Sequence, residues 1–289
     1  MTTAHGALAP PHLLRAWTLD PGILAVLAVV AFAYSAGALR IRGRGLVGAR
    51  QVGLFAAGMA TLLLALTSPL AALSSTLFAA HMVQHLLLIV AAAPLLVCGR
   101  PGIPVMLALP VRPRRALRLA TSTPSVRAVS AWASHPVVVW LLASVVLWAW
   151  HLPSLYQLAL ANDGVHAAEH ASFLLTAALL WWLVVNRHRP RALARPAAVL
   201  LVFATALQSS ALGAVLTFAS APLYPIHAAG AAAWGLAPLQ DQQLAGVIMW
   251  IPPGLVYLVV MVMLLMRWFA ELDARSAQDL APAAAEQHR

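Results

Sequence analysis

The chain has 289 residues, of which 62% are hydrophobic and only 9% charged, with a formal net charge of +10. Soluble domains carry about 25% charged residues, so this composition excludes an ordinary soluble domain and points to an integral membrane protein. All 18 basic residues are arginine, and in such a chain they belong first to cytoplasmic loops rather than to a nucleic-acid surface.

The opening stretch, MTTAHGALAPPHLLRAW, lacks an apolar core ahead of the first span and does not read as a signal peptide. Residues 1–20 are expected to form an extracytoplasmic segment. Crossing the hydrocarbon layer takes roughly 20 apolar residues, and seven runs qualify: 21–39, 50–72, 76–98, 135–152, 165–186, 196–220 and 241–266. No strand alternation is present, and backbone groups in lipid must pair within their own segment, so these runs are helices. Pro21, Pro196 and the Gly99–Arg100–Pro101–Gly102 break mark ends.

The arginines orient the bundle. Arg40, Arg42, Arg44 and Arg50 follow the first span, and Arg100, Arg112, Arg114, Arg115, Arg118 and Arg127 follow the third. Arg187, Arg189, Arg191 and Arg195 follow the fifth, and Arg267, Arg275 and Arg289 follow the last. Only Arg15 falls on the other side. The positive-inside rule makes the arginine side cytoplasmic. The expected fold is an all-α membrane bundle of seven transmembrane helices over 21–268, N-terminus outside and C-terminus cytoplasmic. Within the long cytoplasmic connection 101–134, PVRPRRALRLA reads either as a basic helix on anionic headgroups or as a solvated loop. The tail, 269–289, has the composition of a disordered segment.

This topology gathers the odd polar residues at one depth, near the outer face. The third span brings HMVQH, with His81, Gln84 and His85. The fourth ends at Trp150 and His151. The fifth begins DGVHAAEH, with Asp163, His166, Glu169 and His170, and the seventh begins DQQ, with Asp241, Gln242 and Gln243. Tyr224 and His227 lie in the loop before the seventh. Ionisable groups in a membrane are costly and face the bundle interior or a cavity, where they mark function by default. His81 and His85, at i and i+4, share one helix face, and His166 and His170 repeat that spacing. Two such pairs facing each other would surround one metal ion with imidazoles, which suit copper, zinc, iron and nickel. Gln84, Asp163, Glu169 and Asp241 are the candidates for a supporting shell that orients the ligand histidines.

Simpler roles compete. Asp163 could serve only as a helix cap beside Asn162, and Asp241 likewise. His151 fits an interfacial belt with Trp148, Trp150 and Tyr156. His5 and His12 lie near the terminus, away from the cluster. Cys98, the single cysteine, and Met261, Met263 and Met266 sit at the inner end and read as packing. Met82 and Met249 lie nearer the histidines, where a thioether could ligate. HAAEH also matches the H-x-x-E-H pattern of inverted zinc peptidases, which supplies two zinc ligands and a glutamate base.

Taken together, HMVQHLLLIVAAAPLLVCGRP (81–101), WHLPSLYQLAL (150–160), VHAAEHASFLLTAALLWW (165–182), ALQSSALGAVLTFASAPLYP (206–225) and DQQLAGVIMWIPPGLVYL (241–258) resemble the caa3-type CtaG family of bacterial cytochrome c oxidase assembly proteins. The resemblance covers about 20–268. It implies a multi-pass protein of the bacterial cytoplasmic membrane that serves haem–copper oxidase subunits and delivers copper to them, without catalytic turnover and without a nucleic-acid partner. It also implies His81, His85, His151, His166 and His170 as the copper positions, with Asp241 behind them; zinc would satisfy the same side chains. The competing expectations are an intramembrane zinc hydrolase built on HAAEH with Glu169 as base, and a haem protein or transporter. A histidine pair one turn apart on one helix cannot supply both axial positions of a haem, and the inner half of the bundle carries few polar groups for a transport path.

Overall fold

The computed structural model describes residues 10–43, 45–186 and 193–286. Arg44, Arg187, Arg189, Arg191 and Arg289, with His5 and His188, lie outside the described residues. Among those described, the chain is all helix and contains no strand. After a 3-10 turn at Pro10–Arg15, α1 spans Pro21–Arg40 and α2 Ala49–Thr67, followed by the short α3, Pro69–Ser74. The third span is one rod, Phe78–Cys98. It comprises α4 (Phe78–Leu86), a π turn (Leu87–Ala92) and α5 (Ala93–Cys98). The helices α6 (Gly102–Ala108), α7 (Val111–Ser122) and α8 (Pro124–Ala133) fill the long arginine-rich connection. Then come α9 (Pro136–Trp150), α10 (Pro153–Ala161), α11 (Asp163–Val185), α12 (Arg195–Thr217), the one-turn α13 (Ala228–Ala233) and α14 (Pro238–Glu286).

Among the described residues, six helices are long and apolar enough to cross a membrane, and the bent pair α8–α9, angled at 62°, would make a seventh. The sequence places a complete span at 135–152, whereas α9 by itself has 15 residues. It falls short of about 20 because His135–Pro136 stops the helix: the residue before a proline is pushed out of helical geometry, and His135 is extended, with ψ 132. At the other end of the chain, α14 continues to Glu286, where composition pointed to disorder from 269. Ala, Glu, Leu and Arg recur in that stretch, and all four are strong helix formers.

Four of the helices begin where a side chain caps them. Asp20 accepts from the Ile23 amide at 2.8 Å and Asn162 from the Val165 amide at 3.1 Å. Ser68 and Thr123 cap α3 and α8 in the same way. Where proline removes a donor inside a span, a neighbouring helix supplies one, as membrane burial requires. Pro94 lacks the N–H that a π turn would direct at the Ile89 carbonyl, and the Trp181 indole donates there instead, at 2.8 Å. Pro253 likewise frees the Met249 carbonyl, and the Ser209 hydroxyl donates to it at 3.5 Å.

Glycine lets the helices approach closely. A Cβ on Gly246 would lie 2.4 Å from Thr217 Oγ1, and one on Gly37 only 1.8 Å from the Pro104 carbonyl oxygen. These contacts seat α14 on α12 and α1 on α6, the small-residue packing that membrane helices use where no hydrophobic force drives association. One large core joins α5, α9, α11, α12 and α14 around Trp181, Val202 and Tyr257. The other end of the bundle holds a smaller core of Phe78, Met82, Tyr156, Leu216, Tyr224 and Met249. The polar residues gather against this second core. The opposite end is fastened by the ion pair of Arg195 with Glu271 and by Arg40, which donates to the Leu107 and Ala108 carbonyls.

Candidate metal site

The first turns of α4 and α11 lie side by side. The HxxxH spacing puts His81 and His85 on one face of α4, and the same spacing puts His166 and His170 on the facing side of α11. His81 stacks on His166 with ring centroids 5.4 Å apart, and His85 meets His170 edge-on at 5.3 Å. Within each helix the paired rings are 4.3 and 4.2 Å apart. The two faces do point at each other.

Glu169 stands between them. It is i+3 from His166, so the same turn carries it onto the shared face. Its carboxylate is fully buried, with one oxygen 3.8 Å from His81 Nε2 and the other 3.7 Å from His85 Nε2. Those separations are too long for hydrogen bonds. One ligand atom each from His81, His166 and Glu169 lies within 4.8 Å of the others, the spread expected of donors around a single ion. Glu169 was expected behind a ligand histidine, and its carboxylate stands among the histidines, within reach of His81 and His85.

The decisive observation concerns partners. Both ring nitrogens of His81 and of His85, Nε2 of His166 and of His170, and both oxygens of Glu169 are buried without a hydrogen bond. Each buried unpaired polar atom costs about 1–3 kcal/mol, and a whole domain is stable by only about 5–15 kcal/mol. Imidazole nitrogens with one carboxylate form a donor set that fits a first-row transition metal.

A second polar group surrounds the first and is paired with the protein, the Gln84 side-chain oxygen excepted. Asp241, at the start of α14, accepts from the amides of Phe78 and Ala79 at 2.8 and 3.0 Å. It caps α4, whose own cap residue Leu77 offers no side-chain acceptor, and so fixes the turn that carries His81. Gln84 points away from the histidines and donates to the Ala65 carbonyl of α2 at 2.7 Å. His227 Nδ1 contacts the Thr76 carbonyl at 3.2 Å, which makes Nε2 the acceptor of the Tyr156 hydroxyl at 2.7 Å. Burial pushes the His227 pKa down to about 4, consistent with the neutral ring this pairing needs. The Tyr224 hydroxyl donates to the His151 carbonyl at 2.6 Å, and Gln242 accepts from the Leu223 amide at 2.5 Å.

The remaining expected positions divide. Asp163 stays exposed in the first turn of α11; Asn162 is the cap there, and Asp163 does not join the cluster. His151 is buried at the edge, 6.5 Å from His85 between ring centroids, with Nδ1 on the Leu147 carbonyl and Nε2 facing the Met82 sulfur. Cys98 lies at the far end of the third span, lining a different cavity. Sequence reasoning missed the Tyr156–His227 pair. Histidine in a loop carries no spacing signal; only the fold brings 156 to 227.

With this geometry in hand, comparison with known proteins decides the family. The description "Cytochrome c oxidase caa3 assembly factor (Caa3_CtaG)" matches residues 32–271. The chain belongs to this family. Among curated proteins it is similar to uncharacterized proteins of Mycobacterium bovis and Mycobacterium tuberculosis, each 29% identical over 279 residues. A Mycobacterium leprae relative is 28% identical over 287 residues. Each alignment covers 93% of this chain but 42% of the relative, so the chain spans about two-fifths of the length of those proteins. No solved structure matches it. The match takes in every element of the histidine cluster, from Phe78 of α4 to Asp241 of α14.

Proposed function

We propose that the chain is a membrane-embedded assembly factor for a haem–copper cytochrome c oxidase, and that it carries copper as cargo. His81, His85, His166, His170 and Glu169 hold the ion, with His151 at the edge of the same group. In this reading the bundle has seven spans in a bacterial cytoplasmic membrane, its N-terminus outside. The copper site then lies at the outer face, where an oxidase subunit can receive the ion. The arginines gathered at the opposite end of the bundle support that orientation. The observation that carries the proposal is the convergence of two HxxxH pairs and one carboxylate, all with unpartnered buried atoms, in a chain of an oxidase assembly family.

Asp241 acts as a positioning residue through the α4 amides, and no catalytic turnover is assigned. Elemental analysis of purified protein tests the reading. Copper should co-purify with the wild type and fall to background in His81→Ala/His85→Ala; unchanged copper would overturn the assignment.

A zinc hydrolase reading is favoured by one observation, the closeness of Glu169 to His81 and His166. It assigns Glu169 as a general base. Against it, both carboxylate oxygens are buried beside imidazoles, an arrangement suited to a ligand. A Glu169→Gln variant that still supports full oxidase assembly would remove both the hydrolase and the carboxylate ligand.

A further inference from the structure

His151 and Met82 make a contact that ordinary hydrogen bonding does not explain. His151 Nδ1 lies 2.6 Å from the Leu147 carbonyl oxygen. A carbonyl only accepts, so at that distance Nδ1 carries the proton, and in a neutral imidazole the other nitrogen is then a bare lone pair. That nitrogen, Nε2, faces the thioether sulfur of Met82 at 3.4 Å. Sulfur in a thioether also offers only lone pairs. Two buried acceptors therefore point at each other with no proton between them.

A metal ion resolves this. With metal–nitrogen and metal–sulfur lengths of about 2.0 and 2.3 Å, usual for a d10 ion, a 3.4 Å separation corresponds to an angle of about 105° at the metal, close to tetrahedral. Both side chains are buried, Met82 fully. They line a cavity of about 60 Å³, room for an ion and one or two waters. His85, Met249 and Gln208 border the same cavity, and the Gln208 carbonyl oxygen is buried without a partner.

We infer that His151 Nε2 and Met82 Sδ, with Met249 alongside, form a soft-metal subsite that takes a monovalent d10 ion, Cu(I), and is distinct from the Glu169 cluster. The inference rests on the proposed function, since it divides the cargo site in two. The donor chemistry separates the two halves. A thioether with one imidazole favours a soft monovalent ion, whereas imidazoles with a carboxylate favour a harder divalent one. His85 is shared between them: its ring is 5.3 Å from His170 on one side and 6.5 Å from His151 on the other.

The test uses the full chain in detergent with two probes, Ag(I) as a redox-inert soft ion and Zn(II) as a borderline divalent one. Met82→Leu conserves volume and keeps the core filled. It should weaken Ag(I) binding by more than the roughly 10–100-fold typical of losing an outer-shell partner, and leave Zn(II) binding unchanged. Glu169→Gln should do the reverse. Met249→Leu should weaken Ag(I) less than Met82→Leu does. X-ray absorption of the Cu(I)-loaded wild type should show a sulfur neighbour that disappears in Met82→Leu. Unchanged Ag(I) affinity in a folded Met82→Leu variant, or no sulfur neighbour in the wild type, overturns the inference while Zn(II) binding keeps the Glu169 cluster. A wild type that takes up neither probe overturns the cargo reading, and the inference with it.

Discussion

Two buried polar groups lie side by side at one end of this bundle, and they differ in a single respect. Around Asp241, His227, Tyr156 and Tyr224 the named donors and acceptors are matched by protein partners. Around His81, His85, His166, His170 and Glu169 they are not. Both groups consist of residues that are expensive to bury. The matched group returns its cost as fixed geometry: it caps α4, holds the loop before α14, and sets the ring of His227. The unmatched group returns nothing within the chain, and its donors share one direction. The contrast teaches that burial alone does not single out a candidate site; a cluster of buried groups without protein partners does.

Four measurements would break or sharpen that contrast. The largest effect is expected from His81→Ala/His85→Ala, which should abolish copper retention by elemental analysis. In metal-free protein the volume-conserving His81→Leu/His85→Leu change should leave the melting temperature unchanged or raise it, because it removes unpaired buried groups without opening a cavity. A sharp loss of stability in the metal-free protein would mean the histidines are structural after all. Next comes Asp241→Ala, which strands two buried amides and should cost about 2–4 kcal/mol. Thermal melts in detergent would register it, with Asp241→Asn milder because a carboxamide oxygen still accepts. Copper binding should weaken only as far as α4 frays.

A smaller effect follows from Tyr156→Phe. It deletes one hydrogen bond to His227, worth about 1 kcal/mol, and leaves copper content at the wild-type level. The smallest concerns pH. His227 has a pKa lowered from 6.5 to about 4 in the folded chain. As pH falls from 6.5 towards 4, unfolded chain takes up the proton and folded chain does not, so stability declines across that window. Melts between pH 7 and pH 4.5 should show a shallower decline in His227→Gln than in the wild type. An identical slope would indicate that His227 takes up its proton equally in the folded and unfolded chain.

Much of this was legible beforehand because membrane chains obey few rules strictly. A run of apolar residues must be helical, and helical spacing then puts His81 with His85, and His166 with His170, on common faces. Glu169 is legible in the same way, since i+3 from His166 lies on the same face. Asp163 went the other way. It sits beside Asn162 in sequence, yet one residue decides which of them is the cap and which faces water.

By itself, the sequence determined the helical class, most span limits and the gathering of histidines at one end, because periodicity and hydropathy are local properties of the chain. It could not determine whether the two HxxxH faces meet, since that depends on how α4 and α11 are rotated about their axes. Nor could it reveal that Asp241 reaches the amides of α4 from 163 and 162 residues away, that Gln84 turns towards α2, or that the lone pair of His151 meets the sulfur of Met82. Those outcomes rest on close packing across glycine contacts and on which buried polar groups find a partner, and both are settled only when all the helices are in place.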